Sequence, residues 1–194
     1  MWITTRRSQT VLHATAQCEH SPRMINTQMT IEPAREEDWA WILQLHAQTA
    51  WESLAPERQA EVNKETVTTR IADQVTKSRV EHGTSNQAFV ARDLAGNCAG
   101  FVWIDQIRSS FTGKSQAYLL DIVVLESYRR QGLGRLLMAE AEAWAKQKGF
   151  DRVGLNVAAH NVAAIDLYNK LGYKTETVKM WKKLGEQPSR TLRG

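Results

Sequence analysis

The residues with the clearest chemical potential form a short basic turn that contains two glycines. The basic turn comprises, in chain order, Arg129, Arg130, Gln131, Gly132, Leu133, Gly134 and Arg135. Where a helix begins, its first backbone N–H groups lack acceptors and the helix dipole is positive. Glycines let an anion approach those groups closely, so the turn predicts a pyrophosphate site. A plainer interpretation, a tight turn with solvated arginines, stays open because a short Gly-x-Gly pattern is a weak signal.

The elements on either side of the basic turn must position it. The run from Tyr118 to Leu125 is almost continuously apolar and rich in β-branched residues, which predicts a strand buried on both faces. Gly149 is suited to the left-handed turn that ends a helix. Between them, the apolar residues recur at helical spacing, at Leu133, Leu137, Ala141, Trp144 and Ala145. The sequence therefore predicts a buried strand, the basic turn and an amphipathic helix in direct succession.

Two familiar phosphate-binding patterns do not fit this turn. The dinucleotide-binding fingerprint needs a third glycine three residues after the second, and Leu137 stands there. The Walker pattern needs Gly-Lys followed by Ser or Thr, whereas Gly134 is followed by Arg135 and Leu136. A nucleotide-binding protein of either type is therefore disfavoured.

A second group of residues with chemical potential lies further along the chain. Asn161, Ala164 and Tyr168 are spaced so that they share one face of a predicted helix. Asn161 is a good residue to cap that helix, and its amide could also contact a ligand. Taken alone, the segment favours a capped helix with a half-buried tyrosine.

Composition limits the class of protein. The 194 residues are enough for one domain with a full core, and the hydrophobic and charged fractions, 42% and 24%, are typical of globular proteins. The net charge of +4 is modest and the basic residues are scattered, so we expect no nucleic-acid partner. The apolar runs are too short to predict a membrane span or a membrane partner. Two distant cysteines, Cys18 and Cys98, predict free thiols and a reducing, cytoplasmic location, and five dispersed histidines predict no metal site.

The predicted elements follow the order β-α-α-β-β-β-α-β-α-β, which indicates one mixed α/β domain over residues 29–184. Its second helical region covers Pro56 to Glu81. A further buried strand covers Arg152 to Val157, and the last strand covers Tyr173 to Leu184. Residues 1–28 are basic and rich in Ser and Thr, which predicts a disordered extension or a start codon placed too early, with a transit peptide as the alternative. Residues 185–194 are polar and are expected to form a flexible tail.

The two groups of residues, taken together, resemble a known family. The first follows the pattern Arg/Gln-x-x-Gly-x-Gly/Ala after a buried strand, and the second follows Asn-x-x-Ala-x-x-x-Tyr-x-Lys-x-Gly-Tyr. In this combination, and in its element order, the chain resembles the GNAT superfamily of N-acyltransferases over about residues 29–184. The resemblance implies a single mixed-sheet domain. It also implies transfer of an acetyl group from acetyl-CoA to a primary amine of a small molecule or a peptide or protein, by direct attack in a ternary complex.

The resemblance also implies roles for individual residues. Backbone groups of Ile122, Val123 and Val124 would contact the pantetheine arm and the thioester carbonyl, and their N–H groups would form an oxyanion hole. The basic turn would hold the pyrophosphate of CoA. Tyr168, near the thioester, would be a helpful rather than indispensable proton donor to the departing thiolate, since a phenol has pKa ~10 and a thiol ~8.5. The remaining residues implied in donor binding are Asn156, Asn161 and Ala164.

Acyl transfer to an amine also needs a base, and Asp121 is the candidate. It is the only charge within the run from Leu119 to Leu125, and a carboxylate in such a run needs a partner or a function. A structural hydrogen bond to a neighbouring loop is an equal alternative. For the whole chain, the rival interpretation is a non-catalytic acyl-CoA-binding regulatory module. The residues identify neither the acceptor amine nor the oligomeric state, for which a homodimer is one option.

Overall fold

A computed structural model describes residues 23–25, 29–82, 85–109 and 112–184. Short 3₁₀ turns precede α1 at Glu36–Asp38 and follow β5 at Glu126–Tyr128. The chain divides into two compact units, residues 1–156 and residues 157–194. The helices and strands are β1 (Arg23–Ile25), β2 (Met29–Pro33), α1 (Trp39–Glu52), α2 (Pro56–Gln59), α3 (Lys64–His82), β3 (Asn86–Asp93), β4 (Cys98–Arg108), β5 (Ser115–Val124), α4 (Leu133–Gln147), β6 (Val153–Leu155) and α5 (Val162–Lys170).

The first unit is built on one six-stranded sheet in the order β1-β2-β3-β4-β5-β6. The first five strands run antiparallel to their neighbours, and β6 runs parallel to β5. A parallel pair needs a crossover connection, which α4 supplies between β5 and β6. The mixed α/β class that the sequence predicts is therefore confirmed, as are the meander of three strands before α4 and the helix after the basic turn.

Helices cover both faces of this sheet. Leu137 of α4 lies beside Gly100, whose neighbour Phe101 belongs to the cluster on the α1 side. Because successive strand residues point to opposite faces, α1 and α4 lie on opposite sides of the sheet. The cluster that α1 forms with β3 and β4 comprises Trp39, Ile42, Ala88, Val90, Phe101 and Trp103. The apolar stripe predicted for α4 is confirmed as buried at Leu133, Leu137, Ala141, Trp144 and Ala145.

An ionic cluster fixes the start of α1 against the sheet. The guanidinium of Arg92 on β3 donates to Glu32 on β2, at 2.7 Å, and to Asp38, which precedes the first residue of α1. The second carboxylate oxygen of Asp38 accepts the backbone N–H of Arg35 at 2.8 Å. Asp38 is buried, so these partners compensate the loss of its hydration. The cluster therefore fixes the position of the start of α1 relative to the sheet.

A β-bulge interrupts β5 in its middle. Asp121 lies opposite Trp103 of β4, but Leu119 lies opposite Ile104, so Leu120 is an extra residue without a partner in the ladder. A bulge bends the strand that carries the extra residue. Leu120 packs with the α1 cluster, which places the bulge on the same side of the sheet as α1.

Three sequence expectations about regular structure are wrong in detail. The second helical region is two helices, because Asn63 accepts the N–H of Thr66 at 3.1 Å and so caps a new helix, α3. Strand β5 is not fully buried on both faces, since Tyr118, Leu120 and Ile122 are only half-buried. A continuous apolar run does not distinguish these two cases. The strand predicted at Arg152 to Val157 is shortened to β6 and is half-buried.

The strand predicted from Tyr173 to Leu184 does not form. Its apolar side chains are exposed, with Val178 76%, Met180 87% and Leu184 83% accessible. Alternation of apolar residues predicts the two faces of a strand, but a ladder also needs a partner strand, which the pattern does not specify.

The described part of the N-terminal segment is a short strand. β1 pairs antiparallel with β2, with Arg23 opposite Ile31 and Ile25 opposite Met29. Residues 1–22 and 26–28, like the tail 185–194, lie outside the described residues. The domain bounds 29–184 therefore stay a prediction. None of the described helices is long and apolar enough to cross a membrane.

Removing residues 1–28 tests the predicted boundary. A chain that starts at Met29 loses only the three-residue edge strand β1 from the described sheet. We expect its melting temperature to fall by less than about 2 °C, the shift that about 0.5 kcal/mol produces in a chain of this size. We also expect unchanged affinity for acetyl-CoA in calorimetry. A clear drop in melting temperature would move the domain boundary towards the N-terminus.

Candidate functional site

The C-terminal half of β5 is paired on one side only. Its ladder with β6 ends at Leu119, which lies opposite Leu155. On the other side, the pairing with β4 continues from Asp121 to Val124. Along this half-strand, the backbone groups on the side away from β4 therefore have no ladder partner in the described part of β6. We call this side the open edge of β5.

Ile122 and Val124 are the residues whose backbone groups face the open edge. The N–H of Leu125 donates to β4 at 2.9 Å, and a Cβ at Gly100 would collide with the carbonyl oxygen of Val123. The groups of Val123 and Leu125 therefore point towards β4. Backbone groups alternate in direction along a strand, so those of Ile122 and Val124 point away from β4. Val123, for which the resemblance implies the same contact with the donor, instead directs its carbonyl oxygen towards β4.

The basic turn joins this half-strand to the start of α4. Arg130 and Gly132 both adopt left-handed backbone conformations, with φ of 62° and 84°. Such a φ is costly for most side chains but not for glycine. Gly132 is the residue before the first turn of α4, and within the described part of the chain no side chain caps that turn. The N–H groups of Leu133, Gly134 and Arg135 are thus the orphan donors that the sequence predicts at a helix start.

The side chains of the turn are held partly by backbone carbonyls. Nε of Arg129 donates to the carbonyl oxygen of Val124 at 3.0 Å, and Nε2 of Gln131 donates to that of Ser127 at 3.1 Å. The first contact anchors the guanidinium of Arg129 at the open edge of β5. The exposed polar side chains of the turn are Arg129, Arg130, Gln131 and Arg135. The arrangement can therefore bring three positive charges and the free donors of α4 to one anion.

A hydrogen bond ties the start of the basic turn to the β3–β4 hairpin. The hydroxyl of Tyr128 donates to Asp93 at 2.8 Å, and Asp93 also accepts from the backbone and side chain of Asn97. The bonds from Asn97 and then from Tyr128 lower the pKa of Asp93, while the bond to Asp93 raises the pKa of the Tyr128 phenol. Tyr128 thus stays protonated and donating at neutral pH.

Removing this bond should loosen the basic turn. We expect Tyr128→Phe to weaken acetyl-CoA binding about threefold without lowering kcat, because it deletes one part-buried hydrogen bond that orders the turn. Calorimetric titration with CoA measures the effect. Asp93→Asn, which removes the charge of the acceptor, should weaken binding in the same sense. Equal CoA affinity in wild type and Tyr128→Phe would show that the hairpin does not support the turn.

Asp121 has a partner that the sequence did not indicate. Its Oδ2 lies 2.9 Å from Nδ1 of His46 on α1, and its Oδ1 accepts the N–H of Ile122 at 2.8 Å. The predicted alternative is a structural hydrogen bond to a neighbouring loop; the bond is present, but its partner lies on a helix. Burial raises the pKa of Asp121, and Glu52 raises it slightly, whereas the hydrogen bond and charge of His46 lower it. Since 75 positions separate the pair in sequence, no local spacing could have revealed it.

The other residues implied in donor binding lie at or after the end of β6. Asn156, exposed, directly follows β6 in the first unit. In the second unit, Oδ1 of Asn161 accepts the N–H of Ala164 at 3.1 Å, which confirms that Asn161 caps α5. Tyr168 is buried, and its ring lies 5.8 Å from that of Tyr173, measured between centroids.

Comparison with known proteins adds evidence independent of this geometry. A sequence model of the acetyltransferase (GNAT) family matches residues 47–173, more than half of the chain. The chain is 34% identical over 104 residues to an N-alpha-acetyltransferase of Sulfurisphaera tokodaii, across 49% of this chain and 62% of that protein. It is 37% identical over 84 residues to L-ornithine N5-acetyltransferase NATA1 of Arabidopsis thaliana, across 43% of this chain and 36% of that protein. The chain thus covers less than two thirds of the length of each relative.

A solved structure supports the same comparison over a longer stretch. The fold is similar to that of an acetyltransferase candidate from Pyrococcus furiosus, with a TM-score of 0.67 and 27% sequence identity. The similarity covers 80% of this chain and 99% of that protein.

Proposed function

The chain belongs to the GNAT family of acetyltransferases, and from this premise we propose that it moves an acetyl group from acetyl-CoA to a primary amine. The acceptor is the amine of a small molecule or of a peptide or protein, and the amine attacks directly in a ternary complex. The observation that carries the proposal is a juxtaposition at the end of β5. There, an open backbone edge leads directly into the uncapped start of α4 and the arginines of the basic turn.

The donor would bind along this edge from strand to helix. The pantetheine arm carries amide groups, which can pair with the backbone of Ile122 and Val124 as an added strand does. Its pyrophosphate would lie on the N–H groups at the start of α4, with Arg129, Arg130 and Arg135 neutralising the charge. Of the predicted backbone contacts, we therefore assign the open-edge ones to Ile122 and Val124 rather than to Val123. The resemblance to the family also assigns Asn156, Asn161 and Ala164 to donor binding.

The proposed reaction needs three groups besides the donor site. The acceptor arrives as an ammonium and first loses one proton to the Asp121–His46 pair. The lone pair of its nitrogen then forms a bond to the thioester carbon, and a backbone N–H of the open edge stabilises the oxyanion. The carbon–sulfur bond breaks as the carbonyl re-forms. Tyr168 donates its proton to the departing thiolate and regains one from the new amide nitrogen, which leaves CoA and the acetylated amine.

The acceptor is the least constrained part of this proposal. The two relatives named above differ in the amine that their names give, one an N-alpha amine and the other the N5 amine of L-ornithine. Both are primary amines, which supports the chemical class. A probe panel should therefore contain both kinds.

An unbiased transfer assay tests the function. Labelled acetyl-CoA is incubated with L-ornithine, with spermidine and with a tetrapeptide that has a free N-terminal amine, and product label and free CoA thiol are both measured. The same peptide with a blocked N-terminus is the control. We expect label in at least one amine together with an equal amount of CoA. Tight acetyl-CoA binding without transfer to any amine would favour the non-catalytic binding module instead.

A further inference from the structure

We propose that His46 is the base that deprotonates the acceptor amine and that Asp121 is its positioning residue. This inference rests on the proposed acetyl transfer and names the group that takes the proton. Its starting point is the bond between α1 and β5, in which Nδ1 of His46 lies 2.9 Å from Oδ2 of Asp121.

Asp121 is poorly placed to take the proton itself. Its side chain is only 6% exposed, against 19% for the ring of His46. Both of its oxygens are engaged, Oδ2 by His46 and Oδ1 by the N–H of Ile122. A direct base must lie within hydrogen-bond reach of the proton that it removes. The partly exposed ring meets this requirement better than the enclosed carboxylate does.

His46 is held in the orientation that a base needs. Its ring packs edge-on against Trp103, with centroids 5.4 Å apart and planes at 77°. A carboxylate can only accept from Nδ1, so the bond to Asp121 places the ring proton on Nδ1 and leaves the lone pair on Nε2. Among the described residues, Nε2 has no hydrogen-bond partner. Among the described residues, the titratable groups that act on Asp121 are His46 and Glu52, both from α1.

The pair lies where the proposed chemistry would take place. Asp121 is two residues beyond Leu119, where the ladder with β6 ends. It directly precedes Ile122, whose carbonyl faces the open edge and whose N–H is bonded to Asp121 itself. In the proposed step, Nε2 of His46 takes one proton from the acceptor ammonium and becomes an imidazolium. The carboxylate of Asp121 stabilises that cation, and the proton passes to solvent after the amine has attacked. No oxidant, reductant or further reactant is needed.

Two single variants, their combination and a control separate the two roles. His46→Gln removes the base and keeps a polar side chain. Asp121→Asn offers an amide N–H to Nδ1, which favours the tautomer with its proton on Nε2 and so blocks the base. Gln44→Ala, at an exposed position of the same helix, is the matched control. Each is assayed with the best amine of the panel across pH 5.5 to 9, and acetyl-CoA affinity is measured by calorimetry.

We expect His46→Gln and Asp121→Asn each to lower kcat/KM for the amine by about 10²-fold or more, the range of general-base terms. The double variant should cost little more than either alone, because residues that act as a unit are not additive. The rise of the wild-type rate with pH should disappear in His46→Gln. Acetyl-CoA affinity should change less than twofold in every variant, and Gln44→Ala should retain full activity.

The outcomes separate this inference from the proposed function. A wild type that transfers acetyl to no amine overturns the function and the assignment of His46 with it. A wild type that transfers, with His46→Gln within threefold of it, overturns the assignment alone. A large loss in Asp121→Asn with full activity in His46→Gln would make Asp121 the base.

Nitrogen NMR of ring-labelled histidine gives a readout that does not depend on turnover. In the wild type at pH 8, His46 should carry its proton on Nδ1, and in Asp121→Asn on Nε2. A wild-type His46 that carries its proton on Nε2 would contradict the proposal.

Discussion

A chain carrying Gly134→Val is expected to fold and to bind acetyl-CoA at least about 30-fold more weakly than the wild type. Gly134 is the second residue of α4, in the turn whose N–H groups have no side-chain cap. A branched side chain there would keep the pyrophosphate from the backbone. The loss corresponds to about 2 kcal/mol, which is the value of one or two hydrogen bonds to a charged group. Calorimetric titration with acetyl-CoA measures it.

The variant is chosen so that loss of binding is separate from loss of the fold. Gly132 has a φ of 84°, and valine there would strain the backbone whether or not a ligand binds. Position 134 lies within the helix, where valine is no worse than glycine. Ala139→Val introduces the same side chain at an exposed position of α4 and should leave binding unchanged. Near-native affinity in a folded Gly134→Val chain would remove the basic turn from the donor site.

Tyr168→Phe should lower kcat by about tenfold to a hundredfold and change the KM for acetyl-CoA less than twofold. The substitution deletes only the hydroxyl, whose proposed interaction with the thiolate develops mainly in the transition state. General acid terms span about 10²–10⁴-fold. We expect the low end or below, since the thiol of CoA is the stronger acid and its thiolate already leaves readily. Steady-state kinetics with saturating amine measures the change.

A neighbouring tyrosine provides the control for packing. The rings of Tyr168 and Tyr173 lie 5.8 Å apart between centroids. Tyr173→Phe therefore changes the same ring pair but keeps the hydroxyl of Tyr168, the proposed proton donor. It should keep wild-type kcat, and melting curves should confirm that both variants fold. An unchanged kcat in Tyr168→Phe, where chemistry limits turnover, would leave Tyr168 as a packing residue.

Local pattern predicted the elements around the basic turn well. The apolar period of α4 identified its buried residues, and Gly149 ends that helix region with a φ of 82°. Asn161 was predicted to cap α5 and does so. These features depend on residues within a few positions of one another, where helical periodicity and capping chemistry act directly.

Features that depend on distant partners could not be predicted in the same way. The bond between His46 and Asp121 joins two elements far apart in sequence. The strand expected after Tyr173 fails for the related reason that apolar alternation does not identify a partner strand. The missing information in both cases is which surfaces the fold brings together.

The single extra residue at Leu120 has a consequence for how this site can change. Cross-strand neighbours on either side of it, Leu119 with Ile104 and Asp121 with Trp103, are in normal register. A chain one residue shorter at this point would keep both pairs, and its carboxylate would still face α1. It would lose the bend, however, and β5 could then run straight beside β6 and extend the parallel ladder past Leu119. The open edge of β5 thus depends on one extra residue in the strand. A comparison of side-chain types between related chains would not detect the removal of that residue.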